Sequence, residues 1–230
     1  SAALSAMNRG VSLMGQYLYD DAVKAFEEVL QAAPDAAEAK INLAIARFNR
    51  AQKEQRDVEV AGELLDAVLQ QQPTNAPALY FKAIVLQHVG QTEGAVPLLE
   101  KVLQQHPDDG VAWYVLGVCR QRLGQSAERE LTRAIELRPY LGSAYYRLWQ
   151  SLQAEGKSEQ AAPYLMKFKQ LRENPLIETI ELPQYNQMGD LALTRPFPAR
   201  NLPPITRSTL SVSTAKPVFA SESPLGQGGC

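Results

Sequence analysis

The residues best suited to acid–base, nucleophilic or metal chemistry are few: two histidines, His88 and His106, and two cysteines, Cys119 and Cys230. Histidine is the side chain that titrates near neutrality, so two isolated ones give little general acid–base capacity. The two cysteines stand too far apart in sequence to form a disulfide framework or a zinc site. Cys119, among Leu116, Val118 and Leu123, reads as a small buried hydrophobe. His106 falls where a helix ends and suits the negative end of its dipole. The Gly226–Cys230 run lacks the strand–loop–helix setting of a phosphate loop, and Cys230 lacks the three following residues of a prenylation box. No paired carboxylates, nucleophile elbow or ligand cluster stands out. The expectation is a chain with no catalytic residues, no cofactor and no metal, and no enzymatic role.

Composition points the same way. Lys plus Arg is 23 and Asp plus Glu is 25, a formal net charge of -2. That balance lacks the clustered positive charge a nucleic-acid binder needs. No apolar run is long enough for a membrane span.

Proline divides the chain: eight of the 15 lie in residues 1–175 and seven in 176–230. Alanine runs the other way, with only Ala192, Ala199, Ala215 and Ala220 beyond residue 175. Alanine is the best helix former and proline the strongest breaker, which predicts helices up to a boundary near Asn174-Pro175 and extended or irregular backbone after it.

The helical part repeats. Ten residues after Pro34, Pro73, Pro107 and Pro139 stand Ala44, Ala83, Gly117 and Trp149, with Gly10 as the earlier equivalent. Twelve residues before those prolines stand Ala22, Ala61, Ala95 and Ala127, with Ala161 as the fifth. The spacing from the first small position to the second is 12, 17, 12, 10 and 12, so only one segment per unit varies. Each unit reads as two helices crossing at small residues, where larger side chains would hold the backbones apart. In the third unit Leu79, Ala83 and Leu86, then Ala95, Leu98, Leu99, Val102 and Leu103, follow helical spacing. Gly90, Gly124 and Gly156 supply the left-handed turn between helices. Asp35 with Glu38, Asn75, Asp109 and Ser158 read as helix caps. A hairpin this small cannot bury its own apolar face, so neighbours must stack.

The pattern resembles the tetratricopeptide repeat family. The fourth unit matches it best, with Trp113, Leu116, Gly117, Gly124, Ala127, Leu131, Ala134 and Pro139. The first contributes Gly10, Leu13, Ala22, Phe26 and Pro34, and the third Ala83, Gly90, Ala95 and Pro107. The resemblance implies an all-α, right-handed solenoid of about five repeats over 3–174 (about 3–36, 37–75, 76–109, 110–141 and 142–174). A Pro-rich tail, 175–230, follows. Three departures stand out. Five extra residues in the second unit, at or near 49–57, predict longer helices there. The fourth unit is two residues short. The fifth has Trp149 at a small-residue position and Glu173 in place of the closing proline.

The resemblance also implies that the first helix of each repeat forms a concave face that binds peptides. On this sequence that face would carry Asn8, Val11, Asn42, Ile45, Tyr80, Phe81, Ile84, His88, Tyr114, Val118, Arg122, Tyr146, Arg147 and Gln150. Tyr80, Tyr114 and Tyr146 hold equivalent positions, as a peptide-binding wall or as packing between helices. The subset of the family that grips chaperone tails by a carboxylate clamp would need basic or amide residues at Met7, Val11, Asn42, Pro77 and Phe81; only Asn42 agrees.

The tail holds apolar residues without helical period: Leu176, Ile177, Ile180, Leu182, Leu191, Leu193, Phe197, Leu202 and Ile205. Arg195–Pro204 favours extended or polyproline backbone. Packing of 176–205 along the solenoid, in its groove, is the expectation. Ser208–Thr214 alternates like a short strand, and the ending suggests a fragment or a lead into a further β-rich module. The start, Ser1-Ala2-Ala3, fits a processed precursor, an internal fragment or a tag remnant, which leaves the compartment open between cytoplasmic and, with a signal peptide removed, periplasmic or secreted; the oligomeric state is open as well. The functional expectation is a protein-interaction scaffold binding a peptide, from a partner or from its own tail. The alternative is a structural spacer or dimerisation module of a larger protein.

Overall fold

The computed structural model describes residues 2–50, 55–180 and 185–198. Among these are ten α-helices in five consecutive hairpins. They are α1 (Ala2–Gly15) with α2 (Tyr19–Ala32), α3 (Ala37–Arg50) with α4 (Gln55–Gln71), α5 (Ala76–His88) with α6 (Thr92–Gln105), α7 (Gly110–Arg122) with α8 (Glu128–Leu137), and α9 (Gly142–Ala154) with α10 (Ser158–Arg172). Each helix packs on the one before and after it, and α1, α3 and α5, like α7 and α9, also touch directly. The product is an all-α solenoid whose odd-numbered helices line one face.

The small residues sit where the helices cross. Ala22, Ala61, Ala95, Ala127 and Ala161 are wholly buried, as are Ala44 and Ala83. A Cβ on Gly117 would come within 2.9 Å of Leu131, and one on Gly10 would run into the ring of Phe26. Gly90, Gly124 and Gly156 take φ of +81°, +68° and +75° in the turns. In the first hairpin the same left-handed turn falls to Tyr17, with φ +60°.

The caps follow the sequence only in part. The Asn75 side chain accepts from Ala78 N, and Asp109 accepts from Val111 N and Ala112 N. Before α3 the capping place falls on Ala36, whose carbonyl accepts from Lys40 N as Asn75 O does from Leu79 N. The Asp35–Glu38 capping box is therefore one residue out of register. Before α10 the cap is Lys157 without a side-chain bond, and Ser158 is already helical.

The five-residue insertion lengthens one helix. α4 has 17 residues, whereas α3 has 14, the same as α1; positions 51–54 lie outside the described residues. The insertion brings Asp57 into the interior, where Arg47 Nη1 reaches it at 2.8 Å and Arg50 Nε at 2.7 Å. The bond from Arg50 is the main force holding this carboxyl below the usual carboxylate range. The shortened fourth unit gives up helix instead: α8 has 10 residues and starts after Ala127. Pro97 in α6 and Pro163 in α10 interrupt the helical hydrogen bonds at exposed positions, where water can take the freed carbonyl.

After α10 the chain folds back on the solenoid, and residues 1–197 form one compact unit.

Candidate functional site

The returning segment first pairs with the start of α9. Glu178 N donates to Tyr140 O at 2.8 Å and Gly142 N donates to Glu178 O at 2.9 Å, a single parallel bridge. Arg138 Nε holds the Glu178 carboxylate at 2.7 Å, and Ile180 N donates to Ser143 Oγ at 2.9 Å.

Residues 185–197 then lie against the earlier odd-numbered helices. Two short 3-10 turns form there, Tyr185–Gln187 and Asp190–Ala192. Thr194 closes them: its Oγ1 is 2.7 Å from Tyr185 Oη, and its N donates to that oxygen at 3.0 Å. The backbone becomes extended again at Leu193. Leu202 and Ile205, the Arg195–Pro204 stretch beyond 198 and the strand-like Ser208–Thr214 lie outside the described residues.

Two side chains of the helical face read this segment by its main chain. Asn42, buried on α3, donates from Nδ2 to Arg195 O at 2.7 Å and accepts at Oδ1 from Arg195 N at 3.0 Å. Tyr80 on α5 donates its hydroxyl to Met188 O at 2.6 Å. Burial pushes the Tyr80 phenol well above its ordinary range, so the proton that makes this bond stays in place. Met7, buried on α1, supports Asn42, with its Sδ 3.2 Å from Nδ2. The ring of Tyr19 meets that of Tyr185 edge-on at 6.5 Å.

The other candidates spread over the same helices without converging. Phe81 and Ile84 are buried, and Phe81 stacks edge-on with Phe48. His88 is exposed with its ring against Phe48 at 5.0 Å. Tyr114, Val118 and Ile45 are buried. Arg122 is exposed and donates to Gln87 O at 3.2 Å. Arg122, Arg147 and Gln150 line a cleft of about 360 Å³ between α7 and α9. Asn8 is exposed and Val11 half-buried. Tyr146 breaks the tyrosine row: it is 37% exposed and its ring lies against Trp149 and Phe168, 5.3 and 5.1 Å away. Cys119 is buried beside Gln87, and its thiol is pushed up to about 11 by burial.

Sequence reasoning missed Tyr185, Met188, Gly189 and Thr194. Gly189, isolated between Met188 and Asp190, was the available signal, because a lone glycine outside a turn cluster marks close backbone approach. No helix among the described residues is long and apolar enough to cross a membrane.

A model of the tetratricopeptide repeat matches residues 7–76. Residues 7–76 therefore carry the tetratricopeptide repeat. Solved structures with the same solenoid include MamA from MSR-1, with 26% identity, a TM-score of 0.63, and coverage of 74% of this chain and 97% of that one. MamA from AMB-1 has 26% identity, a TM-score of 0.62, and coverage of 76% and 94%. MamA from Desulfovibrio magneticus RS-1, residue 41 to its end, has 22% identity, a TM-score of 0.68, and coverage of 76% and 98%; at that identity the likeness is one of fold. No curated protein matches the sequence. Tetratricopeptide repeats bind protein partners and are generally non-enzymatic, so this solenoid belongs with protein-interaction scaffolds.

Proposed function

We propose that the scaffold binds a peptide segment along the face of its odd-numbered helices, and that residues 185–197 of the same chain take that place. The observation carrying this reading is the paired hydrogen bond between the Asn42 side chain and both backbone groups of Arg195. A side-chain amide that donates to and accepts from one residue's main chain imitates a neighbouring strand. Such a contact suits a guest segment whatever its side chains. Tyr80 adds a second main-chain contact, one helix along. Past the segment, Arg122, Arg147 and Gln150 in the α7–α9 cleft offer polar groups that orient a protein partner.

Hydrogen exchange read residue by residue tests this. The Arg195 amide is expected to be protected in the full chain. In Asn42→Ala its exchange should rise by about fivefold or more, since one lost hydrogen bond contributes on the order of 1 kcal/mol. An Arg195 amide that exchanges at the unprotected rate, with rapid proteolysis throughout 185–198, would sink the reading.

A further inference from the structure

The contacts made by Asn42 and Tyr80 are blind to sequence, but the step between Met188 and Gly189 is not. Met188 is wholly buried, and Leu191 and Ala192, three and four residues on, are buried in the same apolar cluster. Gly189 stands between them at φ +87°, a backbone conformation that side-chain-bearing residues rarely adopt. Space imposes the same restriction independently. A Cβ at Gly189 would lie 2.9 Å from Val111 Cγ1, 3.1 Å from Val111 Cβ and 3.3 Å from Tyr80 Oη. Val111 is buried and β-branched at the first turn of α7, so it has little freedom to withdraw. The Tyr80 hydroxyl, bonded to Met188 O, is likewise held at that height.

We infer that this face selects its guest by a buried apolar residue followed by glycine, held in a compact turn. A protein partner presenting such a turn then competes with the chain's own residues 185–197. The inference rests on the reading that these helices form a guest-binding face, and adds the chemistry of the guest. The partner segment is a peptide with a flexible, unbranched apolar side chain, a glycine in the left-handed conformation, and an apolar–small pair two residues beyond it. The carboxylate clamp has no counterpart in it, because recognition sits at an internal step and needs no chain terminus.

The test uses the full chain and a fluorescently labelled peptide of residues 185–197. Gly189→Val in the chain vacates the face, and Met188→Asp vacates it by a second route; far-UV circular dichroism checks that the solenoid remains. Anisotropy titration is expected to show the peptide binding each vacated chain at least about tenfold more tightly than the wild-type chain, whose own segment competes. A peptide with valine at the glycine position, or aspartate at the methionine position, is expected to bind a vacated chain at least about tenfold more weakly than the parent peptide. Equal binding of the parent and valine peptides overturns the inference and leaves the main-chain-reading face intact. Absence of peptide binding to both vacated chains also overturns it. In either case the parent reading stands or falls separately, on Arg195 protection in the wild-type chain.

Discussion

Tyr80 in the third repeat and Tyr146 in the fifth occupy the same place, the fifth residue of their helices α5 and α9, and they end differently. Tyr80 is 1% exposed with its hydroxyl bonded to the returning segment, whereas Tyr146 is 37% exposed and stacked on neighbours of its own hairpin. Helical register decides which way a side chain points, but burial depends on what lies opposite. Over α5 that is the apolar turn around Met188. At α9 the crossing position holds Trp149 instead of a small residue, and its ring meets Tyr146. Beyond α10 no further helix among the described residues covers the last hairpin, and Met166 is 63% exposed there.

The contrast can be broken most forcefully at the tyrosines themselves. Tyr80→Ala should destabilise the chain by about 4 kcal/mol in urea denaturation, and Tyr146→Ala by about 1 kcal/mol. Equal losses would mean that the two ends of the row are packed alike.

Charges sharpen the same comparison. Asp57 is buried between Arg47 and Arg50, whereas Glu155 and Lys157 in the last hairpin form a solvent-facing pair. Asp57→Ala leaves two guanidinium groups without their shared carboxylate and should cost about 3 kcal/mol. Its folded-state pKa lies below the unfolded value of about 3.9. The contribution of Asp57 is therefore complete above that pH and lost as pH falls through the folded-state pKa. An acid titration of stability should lose this component in Asp57→Asn. The Glu155 carboxyl is also lowered, first by Lys157 and then by Ser126, yet its exposure leaves it screened. Glu155→Gln should leave the urea midpoint unchanged.

A smaller effect is expected from Tyr80→Phe, which keeps the ring and removes the bond to Met188 O. Local opening of 185–198 should become easier by about 1 kcal/mol, read as roughly fivefold faster amide exchange there. The matching Tyr146→Phe should change exchange nowhere in that segment. The smallest change expected to be measurable belongs to the hairpin turns. Tyr17 holds a left-handed conformation that Gly90, Gly124 and Gly156 hold in later hairpins. Tyr17→Gly should stabilise by about 0.5 kcal/mol, part of the gain being offset by the freer unfolded chain. A loss of stability would show that the Tyr17–Tyr19 ring contact outweighs the strain.

Much of the solenoid was legible because its requirements are local. Small residues at Ala44, Ala83 and Gly117 and again at Ala61, Ala95 and Ala127 recur in register, since two helices can cross closely only there. The left-handed turns announced themselves as Gly90, Gly124 and Gly156 for the same reason. Caps were less legible: Asp35 and Ala36 both suit the end of a turn, and only the hydrogen bond from Lys40 N to Ala36 O assigns the place. Asn42 stood out as the one polar position shared with a known clamp, but its partner lies 153 residues away. No local pattern announces a pairing that distant.

By itself, then, the sequence determined the helical hairpins, their number and register, and the break in character near residue 175. Periodicity and side-chain size act within a few residues of chain, and they are written into every repeat. Only the tertiary structure decided that the apolar residues of 185–197 fold into two short turns against α3, α5 and α7, with Met188 and Gly189 at their centre. That outcome depends on shape and unsatisfied main-chain groups brought together from remote positions. The space beside Val111, the hydroxyl of Tyr80 and the amide of Asn42 exist as one surface only after the repeats have stacked.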